Sequence, residues 1–416
     1  MKKRIIYDKI LAQRDTKKAS IIIGPRQVGK TTILKELYRN LGGLFFDVDV
    51  FTDYDRVSTY EKLLATLKVN GYRENQGNTF FVFLDEFQRY SDLSRVIKSV
   101  YDHHDNIKIY ATGSSSLEIK SSIQESLAGR KIITPIYPLD FEEFLYFKER
   151  EDLIRQIRRL NGLESDDYFS LVPGARALLD EFLIFGGYPE VVLALTPEAK
   201  QDALRSIFDL YIKKDFVEYA RAEKLRNASQ LMRLLAANNG QPANYAKYAA
   251  ASELNMETVK KYLSILEETF IVVSLRPYFT NKNKEITKMP KVYFLDNGVR
   301  NYFGGGFSDI QSRSDAGFLF EGFIISELVK KRVDVSAIKY YRSKTGEEVD
   351  IILDRANKPL LPIEIKLKKS IGARDVSSVK RFVRKHSLPK GRVVTVGQLK
   401  ILEELELVDC FRGVED

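Results

Sequence analysis

A glycine-rich segment at residues 24–32 constrains the fold of this chain more than any other feature of its sequence. An apolar run at 19–23 precedes it and predicts a buried strand, and residues 33–38 have the spacing of a helix. A strand, a glycine-rich loop and a helix in this order favour a phosphate-binding loop over an ordinary strand-to-helix turn. The segment consists of Gly24, Pro25, Arg26, Gln27, Val28, Gly29, Lys30, Thr31 and Thr32.

The residue types of this loop suit the phosphates of a nucleotide. Gly24 and Gly29 let the backbone curl so that its N–H groups face a phosphate, and the helix dipole adds positive potential there. We expect Lys30 to reach the β- and γ-phosphates of ATP and Thr31 to place its hydroxyl on Mg²⁺. The sequence therefore predicts ATP and Mg²⁺ as cofactors of residues 24–32.

A second apolar strand, at residues 79–84, ends in Asp85 and Glu86. An apolar strand that ends in two acids is common, but its position downstream of a phosphate loop makes the pattern specific. We expect Asp85 to hold Mg²⁺, directly or through water. Glu86 would orient and polarise the water that attacks the γ-phosphate.

Polar side chains also follow a third predicted strand, at residues 107–111. Thr112 and Ser114 would lie next to Asp85 on a parallel sheet and face the γ-phosphate, unless this serine-rich stretch only caps a helix. Arg130 directly precedes another predicted strand, at residues 131–136, which we count as the fifth of this sheet. It could extend into a neighbouring subunit as an arginine finger, or it could be an ion-paired surface arginine.

Acidic residues near the C-terminus form a second candidate site. Asp350 lies on one predicted strand, and Glu364 and Lys366 lie on the next, a spacing typical of PD-(D/E)xK nucleases. Asp350 and Glu364 would share a divalent metal, Mg²⁺ or Mn²⁺, with Glu321 as a further ligand. Lys366 would activate water or steady the phosphate. The alternative is a hairpin with a solvated charged face.

The order of the motifs resembles one group of proteins. Gly-x-Arg-x-Val-Gly-Lys-Thr, Leu-Asp-Glu, Thr-Gly-Ser-Ser and Leu-Ala-Gly-Arg follow one another as in prokaryotic AAA+ ATPases. Those ATPases are usually fused to a C-terminal domain of unknown function with a restriction-endonuclease-like fold. The resemblance covers essentially the whole chain. It implies that Thr112 or Ser114 is the sensor 1 residue.

The resemblance has two further consequences. Gly187-Tyr188-Pro189 is similar to an element that related ATPases place against the nucleotide, which implies that Pro189 contacts ATP. A loop with proline as a helix stop is the alternative. Related chains often have Asn after the helix glutamate, where this chain has Gly322, so cleavage by the C-terminal domain is left open.

We therefore predict an α/β protein of four parts. Residues 1–140 are the AAA+ core with a parallel sheet, and 141–225 are its helical lid. Three helical segments and a strand at 226–280 indicate a winged helix-turn-helix module, which could contact DNA or only pack against the ATPase. Residues 281–416 are the PD-(D/E)xK nuclease-like domain.

The composition is compatible with a polyanionic partner. The net charge is +9 over 416 residues, and a single cysteine, Cys410, excludes an internal disulfide. The sequence predicts a cytoplasmic homo-oligomer with no membrane association. We expect an ATPase that acts on DNA, and branched or non-B-form DNA is one candidate substrate. The alternative is a nucleotide-dependent switch or scaffold with a protein partner, whose nuclease-like domain is an inactive binding module.

Overall fold

The computed structural model describes residues 2–74, 77–114, 127–160, 164–211, 216, 225–343, 345–402 and 404–410. Contacts divide the chain into two compact units. The first consists of residues 1–138 with 268–270, and the second consists of residues 139–267 with 271–416. Each unit contains its own β-sheet.

The first unit has the predicted parallel sheet. Its described strands lie in the order β2-β3-β4-β1-β5, and neighbouring strands pair in parallel. The strands are β1 Ala19–Gly24, β2 Leu44–Asp47, β3 Phe80–Asp85, β4 Ile107–Ser114 and β5 Lys131–Pro135. The helices are α1 Ile5–Leu11, α2 Lys30–Leu41, α3 Phe51–Val57, α4 Tyr60–Val69 and α5 Leu93–His103.

The apolar runs of the sequence explain this arrangement. Every residue of β1 is buried, as expected for a central strand covered on both faces. A Cβ atom at Gly24 would lie 2.2 Å from the carbonyl oxygen of Ile136, so only glycine fits where β1 ends. Because parallel strands end at one edge, β1, β3 and β4 bring the segments that follow them together.

The second unit begins with a helical region and continues into a larger sheet. Its described helices are α6 Phe141–Phe147, α7 Glu151–Arg159, α8 Tyr168–Leu171, α9 Ala175–Phe185, α10 Pro189–Leu193, α11 Pro197–Leu210, α12 Leu225–Ala237, α13 Tyr245–Ser252, α14 Met256–Glu268, α15 Lys282–Thr287, α16 Asn297–Arg300, α17 Ala316–Lys330 and α18 Ser377–Lys385.

An eight-stranded sheet organises the described strands of this unit. Their order is β12-β13-β11-β10-β9-β8-β6-β7. The strands are β6 Val272–Pro277, β7 Lys291–Phe294, β8 Ile338–Arg342, β9 Glu348–Leu353, β10 Leu361–Lys366, β11 Gly391–Thr395, β12 Lys400–Ile401 and β13 Leu405–Asp409. β9 pairs antiparallel with β10, and β10 pairs in parallel with β11.

The contacts group the chain differently from the four predicted parts. Residues 141–225, predicted as the lid of the ATPase, cluster with the C-terminal residues. The strand predicted as the wing is β6, which hydrogen-bonds to β7 on one side and to β8 on the other. The segment 226–280 therefore shares a sheet with residues 281–416, because backbone groups far apart in sequence pair there.

A buried carboxylate ties the helical region to the C-terminal part of the second unit. Glu327 on α17 is 3% exposed, and its two carboxylate oxygens each accept from the backbone N–H of Phe141 at 3.2 Å. Lys330 Nζ lies 4.0 Å from the same carboxylate. Burial raises the pKa of Glu327 from 4.5 to about 7, and Asp140 adds to the increase.

This pKa shift predicts a pH dependence of stability. The folded state holds the proton more tightly than the unfolded chain, so stability falls as pH rises from about 4.5 to about 7. The shift corresponds to a loss on the order of 3 kcal/mol. Glu327→Gln removes the titrating group and keeps an acceptor for Phe141. Its thermal midpoint should fall less between about pH 5 and about pH 8 than that of the wild type.

Glu198→Gln, an exposed carboxylate on α11, is the matched control and should keep the wild-type pH dependence. Parallel curves for Glu327→Gln and the wild type would contradict the prediction.

Candidate nucleotide site and carboxylate cluster

The loop between β1 and α2 has a curled backbone. Gln27 and Gly29 have φ angles of 61° and 95°. Lys30, the first residue of α2, is 5% exposed, and its Nζ donates to the carbonyl oxygens of Gly24 at 3.0 Å and Pro25 at 2.7 Å. The ammonium group therefore lies inside the loop at a helix N-terminus, where an anion would be stabilised.

An arginine from the N-terminal segment braces this loop. Nη1 of Arg4 donates to the carbonyl oxygen of Val28 at 2.6 Å, and Nη2 donates to that of Tyr137 at 3.0 Å. The sequence analysis missed this residue. Its signal is weak, because Arg4 stands in a short basic run and the contact spans 133 residues.

Asp85 lies at the centre of the site and is 3% exposed. The hydroxyl of Thr31 donates to its Oδ1 at 3.1 Å, and the hydroxyl of Thr112 donates to the same oxygen. Burial raises the pKa of Asp85, the two hydroxyl donors oppose that rise, and Glu86 and Asp47 add to it. The structure thus brings together the predicted residues of three separate segments.

Glu86 follows β3 in a left-handed backbone conformation, with φ of 56°. Such a conformation is uncommon for a residue other than glycine. The backbone N–H of Glu86 donates to Oγ1 of Thr112 at 3.2 Å. The side-chain Oε2 of Glu86 accepts from Nε2 of Gln88 at 2.5 Å. The Glu86 carboxylate is therefore held beside Asp85 by contacts to both its backbone and its side chain.

A third acid lies at the same edge of the sheet. Asp47 ends β2 and pairs in register with Asp85. The sequence analysis missed it, although Asp47 ends an apolar strand just as Asp85 does. Carboxylate and hydroxyl oxygens are ligands that Mg²⁺ prefers. The side chains of Asp85 and Thr31 therefore fit a Mg²⁺ ion. Its positive charge would offset the negative charge of the carboxylates of Asp47, Asp85 and Glu86 at this edge of the sheet.

The other two predicted residues of this unit have different surroundings. Ser114 ends β4 and pairs in register with Gly24. The guanidinium of Arg130 donates to Oδ1 of Asp102 at 2.7 Å and to Oδ2 at 3.3 Å. Because β5 begins in register with Ala19, Arg130 lies at the sheet edge opposite the phosphate loop and does not reach the site of its own chain.

Pro189 lies in the second unit, where it begins α10. The backbone N–H of Gly187 donates to Oδ2 of Asp296 at 2.7 Å, and Tyr188 is buried. These contacts anchor the start of α10. A contact between Pro189 and a nucleotide stays a prediction.

Asp350 and Glu364 lie on the neighbouring antiparallel strands β9 and β10. Oδ2 of Asp350 accepts from the backbone N–H of Ile365 at 2.8 Å. Oε1 of Glu364 accepts from Lys366 Nζ at 2.6 Å, while its Oε2 is buried and has no hydrogen-bond partner among the described residues. Burial raises the pKa of both carboxyl groups, and Asp350 raises that of Glu364 further.

Glu321 on α17 belongs to the same electrostatic cluster, because its charge raises the pKa of Glu364. Its Oε1 accepts from the hydroxyl of Tyr293 at 2.5 Å, and Lys291 Nζ lies 3.5 Å away. Sequence reasoning missed Tyr293 and Lys291. A lysine at the start of the otherwise apolar strand β7 was the available signal for a buried ion pair.

Several basic side chains of the C-terminal region are partly neutralised. Lys368 Nζ lies 2.5 Å from Asp375, and on α18 the side chains of Arg381 and Arg384 each lie 2.7 Å from a glutamate, Glu347 and Glu404 respectively. Exposed pairs of this kind leave less positive charge for a phosphate backbone than the sequence suggests.

The described residues lack two kinds of feature, a cluster of three or more metal-binding side chains and a membrane-spanning helix. Within the described ranges, no group of three or more His, Cys, Asp or Glu side chains could hold a metal ion. The predicted metal sites thus rest on pairs of acids complemented by hydroxyl or backbone oxygens. None of the described helices is both long enough and apolar enough to cross a bilayer.

Comparison with protein families accounts for most of the chain. Residues 16–145 match the AAA domain model. The first unit is therefore similar to an AAA domain, which supports the coarser part of the sequence prediction, an AAA-type ATPase. Residues 176–310 and 316–408 match two domains of unknown function, DUF8612 and DUF4143.

Two relatives carry the description "uncharacterized protein". A protein of Methanocaldococcus jannaschii is 24% identical over 88% of this chain and 79% of its own length. A protein of Haemophilus influenzae is 24% identical over 83% of this chain and 82% of its own length. Each match covers more than four fifths of this chain and therefore extends over both of its units.

The solved structures that match this chain include two archaeal proteins. The Walker-type ATPase of Pyrococcus abyssi is 16% identical, has a TM-score of 0.48 and covers 73% of this chain and 96% of its own. The ORC2 protein of Aeropyrum pernix in its ADP form is 14% identical, has a TM-score of 0.32 and covers 69% of this chain and 86% of its own.

Proposed function

We propose that this protein hydrolyses ATP in its AAA domain and uses the cycle to act on DNA. The observation that carries the proposal is the convergence of Thr31 and Thr112 on the buried carboxylate of Asp85, beside the phosphate loop. A bound Mg²⁺ would supply charge neutralisation at the β- and γ-phosphates. Thr31 and Asp85 would hold it, and Lys30 would bind the same phosphates.

Glu86 is the residue we assign to the attacking water. In this role the Glu86 carboxylate must lie close to the γ-phosphate without being a ligand of Mg²⁺. Its contacts to Thr112 and Gln88 hold it at the end of β3, one residue beyond Asp85. Positioning and polarising water is the main task a protein performs in phosphoryl transfer, so a fixed carboxylate here suits hydrolysis.

We assign the C-terminal carboxylates to a divalent-metal site of the nuclease-like kind. The support is the buried Oε2 of Glu364, which lacks a hydrogen-bond partner in the described part of the chain, next to the buried Asp350. An unpaired buried carboxylate oxygen is costly, and Mg²⁺ or Mn²⁺ would satisfy it. Lys366 would then be free to contact a phosphate or a water.

A second candidate function is a nucleotide-dependent switch with an inactive nuclease-like domain. One observation favours it: Lys366 already neutralises Glu364 at 2.6 Å, and Lys291 lies 3.5 Å from Glu321. Lysines that occupy the carboxylates could replace a metal. The two candidates differ in whether the cluster binds a divalent ion and whether DNA is cleaved.

One experiment separates these functions. The ATPase rate of the full chain is measured alone and with single-stranded, duplex and four-way-junction DNA, and cleavage is followed with Mg²⁺ or Mn²⁺. We expect DNA to raise the rate severalfold. Asp350→Ala should abolish any cleavage and leave the ATPase rate intact, whereas Glu198→Ala should change neither.

DNA stimulation without cleavage, together with no metal binding, would favour an inactive domain. A rate that no DNA changes, with no DNA binding, would contradict the proposed action on DNA.

Arg130 is the reason to propose that the protein self-associates. It lies too far from the nucleotide site of its own chain to contact it, so its role would be to complete the site of a neighbouring subunit. We expect Arg130→Ala to lower turnover at least tenfold, since such arginines stabilise transition-state charge. Mixing it with Glu86→Gln subunits should partly restore hydrolysis, because some interfaces then pair an intact Glu86 with an intact Arg130.

Asp102→Ala is the control, because it removes the ion pair but keeps the arginine. A similar loss in Asp102→Ala, or full activity of a strictly monomeric protein, would assign Arg130 a structural role instead.

A further inference from the structure

A cavity of about 870 Å³ opens beside the end of the sheet in the second unit. It is formed by the ends of β6 and β8 with the residues that follow them, the end of the connection into β7, and the end of α18. Its size is that of a site for a small organic group. The lining includes Tyr278, Phe279, Lys288, Tyr340, Tyr341, Arg342 and Lys385.

Aromatic rings form much of the wall, and packing holds them in place. The hydroxyl of Tyr340 donates to the carbonyl oxygen of Met289 at 2.7 Å. The rings of Tyr341 and Tyr278 pack against Phe382, with centroids 4.8 Å and 6.0 Å from it. Phe279 is half-buried at the same wall. Fixed rings of this kind offer faces on which a planar group can stack.

Positively charged side chains lie among the lining residues. Lys288, Arg342 and Lys385 are exposed, and the described lining residues include no acidic side chain. Lys385 Nζ lies 3.1 Å from the hydroxyl of Tyr341, so its ammonium is directed along the aromatic wall. Arg342 lies 4.0 Å from Glu348, a carboxylate that Lys291 contacts more closely, at 2.5 Å.

We propose that this cavity binds an unpaired nucleotide of a DNA single strand. The base would stack on the aromatic wall, and the adjacent phosphates would contact Lys288, Arg342 and Lys385. A planar ring system joined to an anion is the chemistry that matches both the rings and the charge. The inference rests on the proposed action on DNA and adds the form of DNA that is recognised.

The position of the cavity supports a strand over a free nucleotide. The ring of Tyr340, on its wall, lies 5.3 Å from Lys291 Nζ, and Lys291 is 3.5 Å from Oε1 of Glu321. The cavity is thus one side chain away from the carboxylate cluster. Tyr340 and Lys291 are both buried, so the link between cavity and cluster runs through the interior. A strand bound at the cavity would have its neighbouring nucleotides near that cluster, whereas a free nucleotide would not extend beyond the cavity.

The test measures binding of a labelled oligothymidylate to the full chain. Phe279→Ala removes a stacking surface and should weaken binding about tenfold. Its matched control is Phe318→Ala, an exposed phenylalanine on α17, which should bind as the wild type does. Arg342→Gln should weaken binding severalfold and reduce its salt dependence, whereas the exposed Arg205→Gln should not.

The outcomes separate this inference from the proposed function. If the wild type binds the oligonucleotide and Phe279→Ala and Arg342→Gln bind it equally well, the cavity is not the strand site, although action on DNA stands. If no DNA binds to any form, the proposed action on DNA fails as well. If thymidine monophosphate binds as tightly as the oligonucleotide and only its binding is lost in the variants, the cavity takes a free nucleotide and the strand proposal is wrong.

Discussion

Glu86→Gln should bind ATP with wild-type affinity and hydrolyse it roughly a hundredfold more slowly or worse. The amide keeps the size of the side chain and can still contact Gln88, but it cannot accept a proton from water or polarise it equally. Its backbone contact to Thr112 is unaffected by the substitution. Binding is measured by calorimetry with Mg²⁺ and ATP, and turnover is measured as phosphate release.

Glu61→Gln, an exposed carboxylate on α4 of the same unit, is the control and should turn over at the wild-type rate. Hydrolysis by Glu86→Gln at the wild-type rate would remove Glu86 from its assigned role. Loss of ATP binding in this variant would instead place Glu86 in binding.

Lys30→Ala should lose ATP affinity by roughly a hundredfold or more. A lysine that contacts two phosphates makes charge-assisted hydrogen bonds, and losing about 3 kcal/mol corresponds to that factor. Its Nζ is held inside the loop by the carbonyl oxygens of Gly24 and Pro25, at the point where we expect the phosphates. Calorimetry with ATP checks the prediction.

Lys35→Ala on the exposed side of α2 should bind ATP normally, which separates the loss of this ammonium from a general change in charge. A thermal midpoint close to that of the wild type shows that the loop variant is folded. Unchanged ATP affinity in Lys30→Ala would contradict the phosphate-loop assignment.

The sequence predicted the local elements of the site well. The strand before the phosphate loop and the strand before Asp85 are largely apolar and are followed by glycine or acids, which are local signals. Asp350 and Glu364 lie on two successive strands, as predicted, for the same reason. Such patterns can be recognised from the sequence because they involve only residues that are adjacent along the chain.

Long-range contacts were beyond the reach of these patterns. Arg4 contacts a carbonyl 133 residues away, and Asp47 joins Asp85 only through strand pairing. The predicted wing strand has an ordinary strand pattern, but its partners are β7 and β8 of the large sheet. A strand pattern specifies that a segment pairs and does not specify with which segment.

The positive charge that is free to bind DNA was also harder to predict than the fold, because ion pairs neutralise part of it. The basic stretch at Lys366 to Lys369 and the helix α18 suggest a DNA surface when the sequence is considered alone. In the structure, Lys366 pairs with Glu364 on its own strand, and Lys368 pairs with Asp375, seven residues further along the chain. The cavity at Tyr340 became visible only when four separated segments were brought together.

The measurement that tests the central claim most directly is ATP turnover by the full chain with Mg²⁺ and, in parallel, with a chelator in its place. The account predicts turnover that requires Mg²⁺ and that disappears in Lys30→Ala while persisting in Lys35→Ala. Equal turnover in Lys30→Ala and the wild type, or no turnover with Mg²⁺ in the presence of every form of DNA, would contradict it.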